Sequence, residues 1–261
     1  MGKIDINKEL DSEEYKQEWK RLIEMRQSIS YCLMFCFMNA SRDGQSNKMN
    51  FFLRMIDDIV QSVVSIEILA KEGAVNTCRR ELRYILELAL KSCFIVRKNG
   101  ISDFEDQIKE YKKLLNSSNI NLINKIELSY FNEEQKEDFL IYTKRQYGYL
   151  CKYSHSSSHQ LNERLARINE GRTIGYEGIQ ELHNLNNDIE KTLSIVIVFL
   201  FNSVAQYVVG DFLVPRSGGQ NEWYFSKSRF VKIIDETMDY KHERQIHIEK
   251  LKALRNETSD F

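Results

Sequence analysis

One stretch of the chain crowds titratable side chains together at a spacing that could carry chemistry: Arg145-Gln-Tyr-Gly-Tyr-Leu-Cys-Lys-Tyr-Ser-His-Ser-Ser-Ser-His159. Two of the five histidines, His155 and His159, stand four residues apart in it. At roughly 100° per residue on a helix, Arg145, Gly148, Lys152, His155 and His159 fall within about 80° of one another. Tyr142, Tyr149, Leu150 and Tyr153 lie away from the centre of that face and are free to pack inward. Imidazoles beside fixed cations suit a phosphodiester. Histidine titrates near neutrality, so it can take a proton from a ribose 2′-hydroxyl or give one to a leaving oxygen. A Lys or Arg alongside would stabilise charge on phosphorus.

Other readings of these residues compete. A histidine at the end of a buried helix is often held by a backbone carbonyl and does no chemistry. The i, i+4 spacing of His155 and His159 could also present two metal ligands, with Glu163 as a third if the helix continues. Lys152 and Arg145 on the same face would repel a cation, so neither metal nor cofactor is expected. The serine run reads as a cap before it reads as a nucleophile, and no oxyanion hole is discernible. Phosphate-loop, dinucleotide-binding, H-E-x-x-H and G-x-S-x-G patterns are missing.

The elements that would position this face are helices. One proline and 11 glycines in 261 residues leave few chain breakers, which favours long helices over many short strands. Ser12-Glu-Glu is a fair N-cap for a helix over 12–38. Apolar residues at three and four predict further helices over 48–71, 74–98 and 102–116. Polar, weakly periodic residues 122–138 read as two short helices. The opening stretch then belongs to one helix over about 134–159, and residues 160–178 read as a long connection. Residues 180–213 run from a polar half into Leu193-Ser-Ile-Val-Ile-Val-Phe-Leu-Phe201. That run is short for a membrane span and is interrupted by Asn202, Ser203, Gln206 and Asp211, so it reads as the buried central helix of a bundle. Pro215 and Gly218-Gly219 mark the strongest linker. The organisation is thus a helical bundle over 1–214 and a C-terminal helical appendage over 221–261, with a charged helix at about 226–255.

On the helix over 74–98, Arg83, Glu87 and Lys91 recur at i, i+4 and i+8 on an otherwise apolar element. They form either a solvated edge with weak ion pairs or one wall of a polar site inside the bundle. The composition, with 42% hydrophobic and 29% charged residues and a net charge of −1, is that of an ordinary globular protein. It exerts no global pull on nucleic acid or on an anionic membrane. Five cysteines without a C-x-x-C read as reduced core thiols, and the charged N-terminus carries no apolar signal core, which together point to a cytoplasmic protein with no membrane partner.

The segment Ile68-Leu-Ala-Lys-Glu-Gly-Ala-Val-Asn-Thr-Cys-Arg-Arg-Glu-Leu-Arg-Tyr-Ile-Leu-Glu87 resembles HEPN-like helical proteins of bacteria. There a helix, a Gly-containing turn and a second helix carry R-x-x-x-E, here Arg83 and Glu87. Tyr149-Leu-Cys-Lys-Tyr-Ser-His155 is similar to a Tyr-x-x-x-x-x-His segment of the same proteins, and the resemblance spans about 50–210. It implies an all-α HEPN-like bundle, often dimeric. Its implied activity is a metal-independent endoribonuclease or nucleotide-directed effector in bacterial antiviral, toxin–antitoxin or stress systems. His155 would be the general acid/base and His159 the alternate. Lys152, Arg145 or Arg83 would supply charge, and Glu87 would orient one of them. The family's motif is Arg, four to six residues, then His. Here six residues lie between Lys152 and His159 and nine between Arg145 and His155, so the cation at the right spacing is a lysine, which cannot grip phosphate bidentately. The alternative expectation is a non-catalytic dimerisation or protein-interaction module.

Overall fold

The computed structural model describes residues 6–40, 50–98, 103–115, 119–154, 157–169, 178–215, 221–239, 252–253 and 255–256. Its regular elements are all helical, as the scarcity of chain breakers predicts. In chain order they are α1 (Ile6–Leu10), α2 (Glu13–Ala40), α3 (Phe51–Arg54), α4 (Ile56–Lys71), α5 (Val75–Arg97) and α6 (Phe104–Leu114). They continue with α7 (Asn119–Ile123), α8 (Glu133–Cys151), α9 (Ser158–Asn169), α10 (Ile179–Ser203) and α11 (Gln206–Leu213), then a 3-10 turn at Tyr224–Lys227 and α12 (Arg229–Glu236).

The axis of the bundle is α10. Every residue from Leu193 to Ser203 is buried. The polar groups there turn back on their own helix, Asn202 Nδ2 to Val198 O at 2.9 Å and Ser203 Oγ to Phe199 O at 2.6 Å, so none is stranded in the core. The long apolar faces of α5 and α2 close around it. Each Leu, Ile or Phe fully buried there contributes about 1.5–3 kcal/mol. No described helix is long and apolar enough to cross a membrane.

Helix starts follow the sequence. The Ser12 hydroxyl accepts from Tyr15 N, and Asn132 with Gln135 forms a full capping box that starts α8. Gly73 at φ 70° closes α4, with Ala74 N donating to Leu69 O at 2.8 Å, a left-handed position that suits glycine.

Four expectations need correction. The helix read over 48–71 breaks at Met55, because Asn50 caps the first turn and anchors to Ser203 O while Gln107 Oε1 takes Phe51 N. The single helix over 134–159 also breaks. It ends at Cys151, and Lys152, Tyr153 and Ser154 tighten into i→i−3 bonds. Ser157 Oγ then donates to Lys152 O and accepts from Gln160 N, capping a new helix, α9, where a connection was expected. At the C-terminus the described helix is short, Arg229–Glu236, and residues 240–251 of the helix read over 226–255 lie outside the described residues. This part packs on the bundle. The Phe230 ring is 5.0 Å from Phe139 and Trp223 is 4.8 Å from Phe212, and buried Arg255 pairs with Asp235 and Asp239.

Candidate functional site

Two polar faces meet at the upper half of the bundle. On α8, Tyr142, Arg145, Gln146 and Tyr149 follow the i, i+3, i+4, i+7 spacing of one helix face. On α10, Asn184, Asn187, Asp188 and Lys191 repeat the same spacing one turn after Glu181. Between them, with Arg79 of α5 and Glu163 of α9, lies a cavity of about 500 Å³.

Arg79 forms the inner wall. Its side chain is only 2% exposed, and Nε meets Asp188 Oδ2 at 2.8 Å. Nη1 reaches Asn76 and Nη2 lies 3.8 Å from Glu181. The guanidinium sits 4.6 Å from the Tyr153 ring centre, within cation–π range. Burial works against the Arg79 charge, but Asp188 and the nearby tyrosines outweigh it and hold the guanidinium above its ordinary range. Burial pushes the Asp188 carboxyl up, and Arg79 offsets part of that. Tyr149 Oη also donates to Asp188 Oδ2, at 3.3 Å, and its oxygen lies 3.1 Å from Tyr153 Oη. The Tyr153 phenol is pushed up mainly by burial, stays protonated, and donates to Glu163 Oε1 at 2.9 Å.

Ownership of hydrogen bonds decides what this cavity can hold. Its carboxylates are engaged: Asp188 by Arg79 and Tyr149, Glu181 by Arg167 at 3.2 Å, and Glu163 Oε1 by Tyr153 and His159. The Asn184 and Asn187 carbonyls are also engaged, by Gln180 and Arg21. What remains along the lining is a set of donors and one buried carboxylate oxygen without a partner, Glu163 Oε2. Arg145 and Lys191 form no ion pair among the described residues, and the amide nitrogens of Asn184 and Asn187 have no partner there. Two cations and two amide N–H donors are groups that suit an oxyanion, and Glu163 Oε2 is the acceptor set against them. Among the described residues, no group of three or more His, Cys, Asp or Glu side chains is arranged to hold a metal ion.

The structure distributes the sequence candidates unevenly. Arg145 lines the cavity. His159 stands beside it, its Nε2 3.1 Å from Tyr153 Oη and 3.2 Å from Glu163 Oε1. Lys152 lies in the turn between α8 and α9, exposed, with Nζ 5.6 Å from the Tyr149 ring centre. His155 lies outside the described residues. The helix break separates His159 from Arg145 and Lys152, which stand on α8 and at its C-cap, so the three do not share one helix face. Arg83 and Glu87 pair at 2.8 Å but do not line the cavity. They form a second cluster with Tyr147 Oη, 3.1 Å from Glu87, and with Asn119, which donates to that hydroxyl. Tyr147 and Tyr149 are two residues apart on α8, so they point to different sides of it, and the two clusters stay distinct.

Sequence reasoning missed Arg79, Asp188, Lys191 and the two asparagines. The α10 spacing was a usable signal: four polar residues at i, i+3, i+4 and i+7 immediately before a buried apolar run. Arg79 carried none, since its partner lies 109 residues away. Comparison with protein families, with curated proteins and with solved structures finds no match to this chain.

Proposed function

We propose that the chain is an HEPN-like helical protein that holds an RNA phosphodiester at the cavity between α8 and α10 and cleaves it without a metal, as an effector of bacterial defence or stress. The observation behind phosphodiester binding is the donor set left over once internal hydrogen bonds are assigned: Arg145, Lys191, Asn184 and Asn187. In that reading Arg145 and Lys191 take the phosphate oxygens. His159 and His155 are the proton-transfer candidates, with Lys152 at the turn as a further cation. Arg83 and Glu87 support Tyr147 and hence the seat of α8. The assignment to defence or stress rests on the resemblance in 68–87 and 149–155 alone.

Arg145→Gln and Lys191→Gln are each expected to weaken binding of a short single-stranded RNA by about tenfold, the worth of one charge-assisted hydrogen bond. Fluorescence anisotropy at fixed salt measures it, and cleavage is followed in EDTA. An RNA that binds neither wild type nor variants, or binds all three equally, removes the proposal.

A second reading has its own observation. On α9, Leu161, Leu165 and Ile168 stand at i, i+4 and i+7 and are exposed, an apolar face that suits a protein-interaction or dimerisation module.

A further inference from the structure

Helix α9 is seated the opposite way to a helix held by apolar packing. Leu161, Leu165 and Ile168 turn outward and are 59%, 50% and 58% exposed, and the one residue that α9 buries is Arg167. What holds α9 down is polar. Near its start, Tyr153 Oη donates to Glu163 Oε1 at 2.9 Å and lies 3.1 Å from His159 Nε2, and Gln160 Nε2 donates to Tyr153 O at 3.0 Å. Near its end, Arg167 Nη2 meets Glu181 Oε2 at 3.2 Å. Contacts of this kind exchange with water at little net cost, so α9 can leave its seat without opening the core.

Through Glu163, α9 is also one wall of the cavity. Three carboxylates line that cavity, Asp188, Glu181 and Glu163. Asp188 is matched by Arg79, and Glu181 by Arg167. Glu163 Oε1 meets a phenol and an imidazole instead, Tyr153 Oη and, at 3.2 Å, His159 Nε2. Glu163 Oε2 is buried with no hydrogen-bond partner. No arginine or lysine pairs with Glu163 among the described residues, and on the same lining Arg145 and Lys191 carry no ion pair there. An entering anion and the Glu163 carboxylate thus share one cavity as like charges, and each disfavours the other.

We propose that α9 is an autoinhibitory strap: seated, it holds the Glu163 carboxylate at the cavity where Arg145, Lys191, Asn184 and Asn187 take an oxyanion, and an oxyanion binding there loosens that seat. This rests on the oxyanion reading of the cavity. Tyr153 is the latch, since its one hydroxyl contacts both His159 and Glu163. The latch is itself fixed, with the ring 1% exposed and the Arg79 guanidinium 4.6 Å from its centre. Coupling between two sites is reciprocal, so whatever loosens α9 raises anion affinity, and a bound anion loosens α9 by the same factor.

The test uses the full chain and inorganic phosphate at fixed pH and ionic strength. Calorimetry gives the affinity, and amide hydrogen exchange follows Ser158–Asn169. Glu163→Gln keeps an acceptor for Tyr153 and removes the charge, and it should bind phosphate about fivefold more tightly than wild type. Tyr153→Phe keeps the ring and removes the latch, and it should both speed exchange in α9 and tighten phosphate binding. In wild type, saturating phosphate should speed exchange in α9 by a similar factor. A wild type that binds phosphate through Arg145 and Lys191 while Glu163→Gln binds no tighter, or whose α9 exchanges more slowly once phosphate is bound, overturns this inference and leaves the cavity reading standing. Absence of phosphate binding in wild type, Glu163→Gln and Tyr153→Phe alike, or binding that survives in the Arg145→Gln/Lys191→Gln double variant, overturns both.

Discussion

Arg79 and Arg83 sit one helical turn apart on α5 and make similar-looking ion pairs, each with Nε at 2.8 Å from a carboxylate oxygen. Their energetics differ because their surroundings differ. The Arg79–Asp188 pair is sealed from water, at 2% and 8% side-chain exposure, and removing one partner strands the other charge. The Arg83–Glu87 pair is more than one-fifth exposed on both sides and is screened. Arg79→Ala is therefore expected to cost about 3–5 kcal/mol in urea unfolding followed by circular dichroism, and Arg83→Ala less than about 1 kcal/mol. Equal losses would mean that burial does not set the worth of these pairs. Neighbouring sequence could not separate them, since both arginines occupy the same kind of position on one amphipathic helix.

At the scale of elements, the end of α8 at Cys151 and the new start at Ser157 matter most. A continuous helix would have placed Arg145, Lys152 and His159 on one face. Ser157 instead starts α9, which swings back so that Glu163 reaches the cavity and Arg167 reaches Glu181. Two substitutions read this directly. Ser157→Ala removes the cap and should lower stability by about 1 kcal/mol, whereas in an unbroken helix alanine would raise it. Gly148 lies inside α8, and a Cβ added there would meet nothing within 4 Å, so Gly148→Ala should raise stability by about 0.5–1 kcal/mol. Thermal unfolding of both variants checks the signs. The glycine is thus a gap on the exposed side of α8, away from the neighbours that build the cavity.

The whole molecule is tied through α10, which carries the apolar core in its second half and two polar sites in its first. One face turns to Arg79 and the cavity. The adjoining edge turns to Glu18 and Arg21 of α2. That edge has a pH signature. A carboxyl held below its unfolded value, as in Glu18, contributes stability that is present above that value and is lost as pH falls through the folded one. Asp188 and Glu190, pushed up chiefly by burial, act with the opposite sign. The urea midpoint of wild type should therefore fall more steeply than that of Glu18→Gln as pH drops below the ordinary carboxyl value of 4.5; parallel curves would show that Glu18 is not coupled to folding. By itself, the sequence determined what depends on local periodicity and composition: the helical make-up of the described residues, the buried run at 193–203 and the cap at Ser12. Only the tertiary structure decided which charges meet, because Arg79 with Asp188 and Glu18 with His183 are 109 and 165 residues apart. Hydrogen-bond ownership across such distances depends on how helices pack, and it sets which groups of the cavity stay uncommitted.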